Sequence, residues 1–452
     1  MTINVSAIID RAPVGAFQLK VTFLCALIAL LDGLDIQAAA LVIPQLREEW
    51  GLPPTAFGPV LSASLAGMAL GNMVGGQLGD RFGRRRALLW SFTLVGVASI
   101  ATGFAHNPES LIVLRLLTGL GIGGCLPNAI ALTTEFIPSK RSGFFVTLMY
   151  SAIPLGGVVA GYVANPIIAS FGWQALFFAG GVIPLLLCVI IYFTLPESVR
   201  FMANAGSRER EIGAILQRID RDYVYAEGDR FEINEVRHQG SLRELFTEGR
   251  AAVTILLWLA LVFSMFGMYM LISWLPTAFT QLGWESHHAL QSISYLWFGG
   301  IVGGLVAGWL IDRFGTYRVV VTGYVLGGIL TAAIGLSGGH GAQSVIIVGL
   351  TGAGVIGSAL AITARTANLY PTAIRSTGVG WALGVGRIGA VISPVAGGYA
   401  LSAQWSQEQL FAAAGIPALI CAAWVFLLGV AHRRAERAAR REAEQRPSLG
   451  TA

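Results

Sequence analysis

The chain has 452 residues, of which 54% are hydrophobic and only 12% charged, and its mean hydropathy is +0.66. A water-soluble domain carries about twice that share of charge, so the composition excludes a soluble globular protein and implies a chain that crosses a bilayer many times. Thirty Lys and Arg against 25 Asp and Glu leave a net charge of +5, which could attract nucleic acid but is also what membrane topology produces.

In chain order, apolar stretches near the roughly 20 residues needed to cross hydrocarbon recur twelve times. They predict transmembrane helices over about 19–46, 55–78, 87–105, 110–136, 144–169, 173–195, 251–281, 289–311, 319–338, 342–369, 376–402 and 408–431. The first run is too long for the apolar part of a signal peptide and lacks a small-residue cleavage site, so it is expected to stay as the first helix. Of the thirty basic residues, twenty-six fall at the N-terminus (Arg11 and Lys20, the latter at the very start of the first span), in the loops after even-numbered spans, or after the last; Arg115, Arg365 and Arg387 lie inside spans, and only Arg47 is on the other side. The positive-inside rule then puts both termini in the cytoplasm. The basic tail His432–Arg441 reads as part of that topology, touching anionic headgroups, so no nucleic-acid partner is expected.

The expected organisation is an N-terminal six-helix bundle over 1–195, a cytoplasmic linker over 196–250, a C-terminal six-helix bundle over 251–431 and a basic tail over 432–452. In the linker, 20 of 55 residues are charged. There Ile212, Ile215, Leu216 and Ile219 follow the spacing of a short amphipathic helix, and Ser241 with Glu244 forms a capping box that opens a second. Cys25, Cys125, Cys188 and Cys421 sit singly inside spans without metal-ligand spacing, so neither disulfide, metal nor cofactor is expected.

The two bundles share a sequence repeat. "GMALGNMVGGQLGDRFGRRR" (Gly67–Arg86) and "GGIVGGLVAGWLIDRFGTYR" (Gly299–Arg318) are identical at ten of twenty positions, including the whole Asp-Arg-Phe-Gly turn. Two parallel repeats with a site between them near the bilayer midplane are a transporter plan. Glycines recur every fourth residue ahead of each turn, at Gly67, Gly71, Gly75 and Gly79 and at Gly300, Gly304 and Gly308. Such stripes let helices approach closely in lipid, and as a set they are expected to form a surface on which the halves slide.

The turn "GDRFGRRR" (Gly79–Arg86) and its partial copy "DRFGTYR" resemble the signature of the major facilitator superfamily. With "DGLD" in the first span, "LLTGLGIGGCLPNA" in the fourth and "YPTAIRSTGVGWALGVGRIGA" leading through the eleventh, the chain resembles the aromatic acid:proton symporter family of that superfamily along nearly its whole length. The resemblance implies an all-α fold of twelve transmembrane helices in two pseudo-symmetric bundles. It also implies uptake of a benzoate-type carboxylate with protons across a bacterial inner membrane. The cytoplasmic gate it implies comprises Gly79, Asp80, Arg81, Gly83 and Arg84 with Asp312, Arg313 and Gly315; Glu135 is the expected partner of Arg84 or Arg141. Gly79 and Gly83 are expected to supply the backbone freedom of the turn.

"LLDGLDIQAA" (Leu30–Ala39) places two carboxylates in a membrane span. Each costs about 2.5–3.5 kcal/mol on insertion scales, so the chain keeps them only if they are neutralised, paired or facing water. Asp32 and Asp35 are three residues apart and share a helical face. Burial and mutual repulsion favour their protonated forms and a nearby arginine the ionised form, the balance a proton-coupling site needs. Gly33 between them leaves backbone open to substrate or an unwound turn.

Among the intramembrane cations, Arg387 has Gly380, Gly384, Val391 and Pro394 on its face, a groove of small side chains in which a planar guanidinium can grip a carboxylate with two bonds. Arg115 could pair with Asp35 at comparable depth, yet it points nearly opposite to Asn128 and Glu135 on its helix and ranks second. Further candidates for substrate or coupling contacts are Asn128, Tyr150, Tyr269, Trp274 and Trp381, the aromatics as walls for a ring. The expected partners are therefore an aromatic carboxylate, protons and lipids, with the chain working as a monomer.

Rival readings have specific supports. "IPLGG" (Ile153–Gly157) is a fragment of a drug:proton antiporter motif, whose fuller version here, "GAVISPVAGG" (Gly389–Gly398), lies in the eleventh span. "LPESVRFM" (Leu195–Met202) occurs in sugar porters among others. Another small organic anion also remains open. The chain has no HExxH or GxSxG and no clustered metal ligands, which argues against an enzyme.

Overall fold

The structure, a computed structural model, describes residues 2–204, 208–220, 223–226, 229–232, 242–247, 249–337, 342–366, 369–370, 374–403 and 405–445. A short strand β1 (Thr2–Asn4) and a helix α1 (Val5–Arg11) precede the long helices α2 (Ala16–Trp50), α3 (Pro54–Phe82), α4 (Arg84–Thr102) and α5 (Pro108–Phe136). Next come α6 (Ser139–Tyr150), α7 (Ala152–Phe171), α8 (Trp173–Thr194), α9 (Val199–Asn204), α10 (Glu209–Ile219) and strand β2 (Arg230–Glu232). The remainder is α11 (Ala251–Gln281), α12 (Ser286–Phe314), α13 (Thr316–Leu336), α14 (Ala342–Thr366), α15 (Arg375–Ser402) and α16 (Gln407–Gln445).

Among the described residues, eleven helical segments are long and apolar enough to cross a membrane, counting α6 and α7 as one. The twelfth long helix is α4, 19 residues that open on Arg84, Arg85 and Arg86. The chain is thus a multi-pass all-α membrane protein with the twelve helices its hydropathy predicts. The fifth expected span is broken at Ser151 because Pro154 has no N–H to return to the carbonyl of Tyr150.

Local chemistry sets the helix ends. Asn107 accepts the Ser110 N–H at 2.8 Å to cap α5, whose first residue is Pro108. Gly83 and Gly315, at φ of 101° and 83°, occupy the left-handed region where the repeated turn enters α4 and α13. Gly79 does not share that role. It lies inside α3, and a Cβ there would strike the side chain of Asn128 on α5.

The glycine stripes also differ from expectation. A Cβ on Gly67, Gly71 or Gly75 would run into the backbone of α5 at Leu116, Leu120 or Gly124, and one on Gly119 or Gly123 into α3. The stripe therefore joins α3 to α5 within the first bundle and is no sliding surface between halves. In α12 Gly299 and Gly303 meet the backbone of α14 at Gly349 and Ala353, Gly300 and Gly304 meet its side chains Ile356 and Leu360, and Gly308 meets no described atom within 4 Å, so this stripe too packs within its own bundle. Gly33 likewise meets the Ile153 carbonyl of α7, and Gly156 returns the contact at Leu30 and Leu34. Helix packing, not an approaching substrate, requires this glycine in an α2 that stays unbroken.

The chain gathers into two compact units, one of Met1–Val236, Ile272–Ser294 and Pro394–Ser402, the other of Arg237–Leu271, Tyr295–Ser393 and Ala403–Ala452. In the first, β1 pairs in parallel with β2, with Thr2 opposite Arg230 and Asn4 opposite Glu232. Ile212, Ile215, Leu216 and Ile219 are buried on α10, as their spacing predicts, and cluster with Val5, Ile8 and Ile9 of α1 and with Phe136 of α5. Arg11 reaches Asp220 at 2.9 Å, and Asp10 accepts the Ser139 N–H that opens α6 at 2.7 Å. The N-terminus and the described linker residues up to Glu232 are therefore bound to one end of the first bundle. Ser241, the expected start of a second linker helix, lies outside the described residues; Leu242–Phe246 form a short 3-10 turn with Leu245 buried. In the second unit, Ser264 and Tyr324 share a buried hydroxyl contact of 2.5 Å between α11 and α13.

Candidate functional site

The α2 and α5 helices hold the central charges. Arg115 donates Nη1 to Asp35 Oδ1 at 3.1 Å and Nη2 to Oδ2 at 2.6 Å, a two-pronged pair. Nη2 also reaches the Asp35 carbonyl at 3.3 Å and Ser64 Oγ on α3 at 3.2 Å. The guanidinium sits 5.7 Å from the Phe177 ring centroid, and the side chains are 0% and 8% exposed. Arg115, ranked second from its helical face, is thus the cation the structure joins to Asp35. The opposed faces serve different neighbours: Asn128 donates Nδ2 to the Gly75 and Gly124 carbonyls, both at 2.8 Å, while Glu135 faces Arg84. Because α5 packs on α2, α3 and α4 at once, each face finds its own partner. Ser64 and Phe177 carried no signal in the sequence, since neither is charged.

Asp32 and Asp35 both line a cavity of about 210 Å³ bounded by α2, α4, α5, α7 and α8. Its other walls are apolar and include Phe92, Val95, Ile122 and Cys125. The two acids on one helical face therefore open into one space. Cys125 was read as a core residue, and in this fold it is also a wall of that space.

The remaining candidates are spread over the chain. Arg387 is half-buried on α15, and a Cβ on Gly380 or Gly384 beside it meets no described atom within 4 Å, so that face is open. Trp381 is half exposed and stacks on Trp258 with centroids 6.2 Å apart. Tyr269 is buried and Tyr150 is exposed at the end of α6. Trp274 spends its indole N–H on the Pro394 carbonyl at 2.8 Å and packs on Gly397, tying α11 to α15. Among the described residues one group could hold a metal: Glu285, His287 and His288, with ligand atoms within 4.8 Å of one another at the largely exposed start of α12.

At the repeated turn, Arg84 bridges Asp80 at 3.2 Å and Glu135 at 2.9 Å, and Glu135 also accepts Ser198 Oγ at 2.5 Å. Arg141 is exposed and turns its backbone N–H to Pro138 at 2.8 Å, so Arg84 is the partner found for Glu135. Glu197 was not singled out, yet its carboxylate, 3% exposed, accepts the Arg85 N–H at 3.0 Å and the Ser198 N–H at 2.9 Å. It occupies the start of α4, where unpaired N–H groups and the helix dipole favour an anion. The signal was the "LPESVR" stretch, quoted for its family likeness and not for its charge. Arg85 in turn donates to the Tyr192 carbonyl. In the second turn Arg313 lies over Trp309, 4.1 Å from its centroid, and Asp312 is exposed. Among the described residues the charge network around the turn is therefore denser in the first repeat, and Arg81 lies over Phe82 at its edge.

The Major Facilitator Superfamily profile matches residues 25–360 and 257–451. A gallate transporter of Pseudomonas putida is 35% identical over 437 residues, 96% of each chain. The 4-hydroxybenzoate transporter PcaK of Pseudomonas aeruginosa is 35% identical over 431 residues, 95% of this chain and 96% of that one. The inward open xylose transporter XylE from E. coli aligns with a TM-score of 0.70 over 90% of this chain and 96% of that one at 17% identity, a likeness of fold alone. The chain is a transport protein and not an enzyme, and it belongs to the Major Facilitator Superfamily, in its family of aromatic acid transporters.

Proposed function

We propose that this chain imports an aromatic carboxylate of the benzoate, hydroxybenzoate or phenoxyacetate type together with protons, by alternating access, as a monomer in a bacterial inner membrane with both termini cytoplasmic. The observation that carries the reading is the buried pair Asp35–Arg115 beside a second acid, Asp32, on one cavity. Relatives that carry gallate and 4-hydroxybenzoate, both hydroxylated benzoates, support the substrate class.

The pair explains why proton and anion would travel together. With Asp35 ionised, the charges of Asp35 and Arg115 cancel in a place from which water is excluded. A proton on Asp35 leaves the guanidinium without its counter-charge, a state costing several kcal/mol when buried. That cost falls when another negative charge, an ionised Asp32 on the same cavity or an entering anion, supplies the counter-charge. Arg387, on the open face of α15, is the group assigned to the substrate carboxylate, because its planar fork matches two oxygens. Asp32 is the second acid able to take a proton. The Asp80–Arg84–Glu135 network is the latch that holds one face closed and releases as the halves rock. The more alkaline cytoplasm then withdraws the protons and substrate leaves.

The test is proton uptake by de-energised cells in light buffer as aromatic acids are added one at a time, beside cells making the Asp32→Asn/Asp35→Asn protein. Alkalinisation specific to the wild type and to one or a few aromatic acids supports the reading. A response to sugars or aliphatic acids alone would overturn it.

A further inference from the structure

The cavity against Asp32 and Asp35 is built for an occupant the transport cycle does not require. It lies wholly among helices of the first bundle, and its volume of about 210 Å³ exceeds the roughly 150 Å³ at which an apolar cavity already holds a benzene molecule. Apart from the two acids its walls are aliphatic, aromatic or thiol. Its exposed lining residues are Val159 and Val163 on α7 and Ile183 on α8, the last two 41% and 47% accessible, so its mouth lies between two lipid-facing helices. A charged ligand would not cross that mouth, because an ion in hydrocarbon is strongly disfavoured. A flexible acyl chain could enter but would leave two carboxyl groups facing hydrocarbon, which again is costly.

We propose that this cavity is a lateral binding site for a neutral single-ring aromatic bearing one O–H donor, a phenol or an undissociated aromatic acid, which reaches it from the bilayer. The ring fills the apolar walls and the O–H donates to Asp35 or Asp32. Because Arg115 already holds Asp35, the ligand adds a bond to the same carboxylate and fastens the pair, so an occupant inhibits any step that must break it. The site goes beyond the function proposed above and shares with it only these charged groups.

The experiment uses the full chain in lipid nanodiscs, with fluorine NMR of 4-fluorophenol, fluorobenzene and 4-fluorobenzoate, and empty nanodiscs as blank. Saturable binding of 4-fluorophenol is expected, with fluorobenzene weaker by about tenfold or more, since a bond to a charged acceptor is worth about 1.5–3 kcal/mol. 4-Fluorobenzoate separates the two sources of the O–H: it should bind this site only in buffer near or below the ordinary carboxylic-acid range of about pH 4, where it is protonated, and the phenol at neutral pH as well. Ala179→Phe, which fills the cavity from α8, should abolish phenol binding. Should that variant misfold, Ile122→Ala, which enlarges the cavity from α5, should bind the bicyclic phenol 6-fluoro-2-naphthol more tightly than the wild type does, and equal binding by the two would overturn the site. Equal binding of phenol and fluorobenzene, no saturable phenol binding, or phenol binding unchanged in folded Ala179→Phe would each overturn the site. A chain that binds the phenol but takes up no aromatic acid would sink the transport reading and leave this one standing.

Discussion

Arg115 grips both carboxylate oxygens of Asp35, at 3.1 and 2.6 Å, from a position with no solvent exposure. Removing one partner strands a buried charge, so Arg115→Gln should lower stability by about 3–5 kcal/mol. Asp35→Asn combined with Arg115→Gln should cost clearly less than the sum of the single changes, because neither ion then remains. A double-mutant cycle on thermal unfolding measures the coupling, and strict additivity would show the pair is not formed. In proteoliposomes Asp35→Asn is expected to exchange substrate across the membrane yet fail to concentrate it; wild-type accumulation would clear Asp35 of coupling.

On the half-buried face of α15 that carries Arg387, a Cβ on Gly380 or Gly384 meets no described atom within 4 Å. Arg387→Lys keeps the charge and loses the two-pronged fork, so substrate affinity should fall about tenfold or more, in line with the roughly 1.5–3 kcal/mol of a bond to a charged group. Equilibrium binding of a labelled aromatic acid decides the matter, and unchanged affinity would remove Arg387 from the site.

The twelve helices, the repeat and the amphipathic α10 were legible because each depends on hydropathy over many residues, which burial in lipid or against a neighbour enforces. The pairing of Asp35 with Arg115 was legible only as a matter of depth; a single helical wheel assumes one cavity, whereas α5 serves three neighbours, so opposed faces do not keep Arg115 from Asp35. The glycine stripes misled for a related reason. Small-residue spacing says that a backbone comes close, but not whose, and here Gly67, Gly71 and Gly75 meet α5 of their own bundle. Ser64, Phe177 and Glu197 could not be assigned from sequence because their roles arise only when distant helices meet.

The packing of α3 on α5 separates two glycines that look alike in sequence. Gly71→Leu would push a side chain into the Leu120 carbonyl, forcing the helices apart, and overpacking costs about 1–3 kcal/mol or more. Gly308→Ala has nothing within 4 Å and should be neutral or stabilising by up to about 1 kcal/mol from helix propensity. Fluorescence-detected size exclusion after heating compares the two, and a tolerated Gly71→Leu would refute the contact.

Glu197 holds the N–H groups of Arg85 and Ser198 at the turn. Glu197→Ala leaves a helix start without its acceptor and should cost about 1–3 kcal/mol. Glu197→Gln, which keeps one acceptor oxygen, should recover part of this. Gly83→Ala should be harmful through both its φ of 101° and the nearby carboxylate. Thermal midpoints for the three variants check the order: Glu197→Gln between wild type and Glu197→Ala, with Glu197→Ala and Gly83→Ala lower.

The linker turn carries a pH window of its own. Asp229 accepts the Ala226 N–H at 3.0 Å and the Tyr223 hydroxyl at 3.1 Å. The Ala226 bond first, then Tyr223, hold its carboxyl below the ordinary 3.8. A depressed value means the stabilisation is complete above 3.8 and is lost as the pH falls through the lower folded value. At the other end burial, then the bond to Asp229 and its charge, push Tyr223 up to about 12 from 10.0. That contribution is present below 10.0 and is lost as the pH rises through about 12. Protection of the Ala226 amide, the slowing of its exchange relative to an unstructured chain at the same pH, should therefore fall below pH 3.8 and again above 10.0. Asp229→Asn should abolish the acid limb while Tyr223→Phe removes the alkaline one; an acid limb that survives Asp229→Asn would mean another group controls the turn.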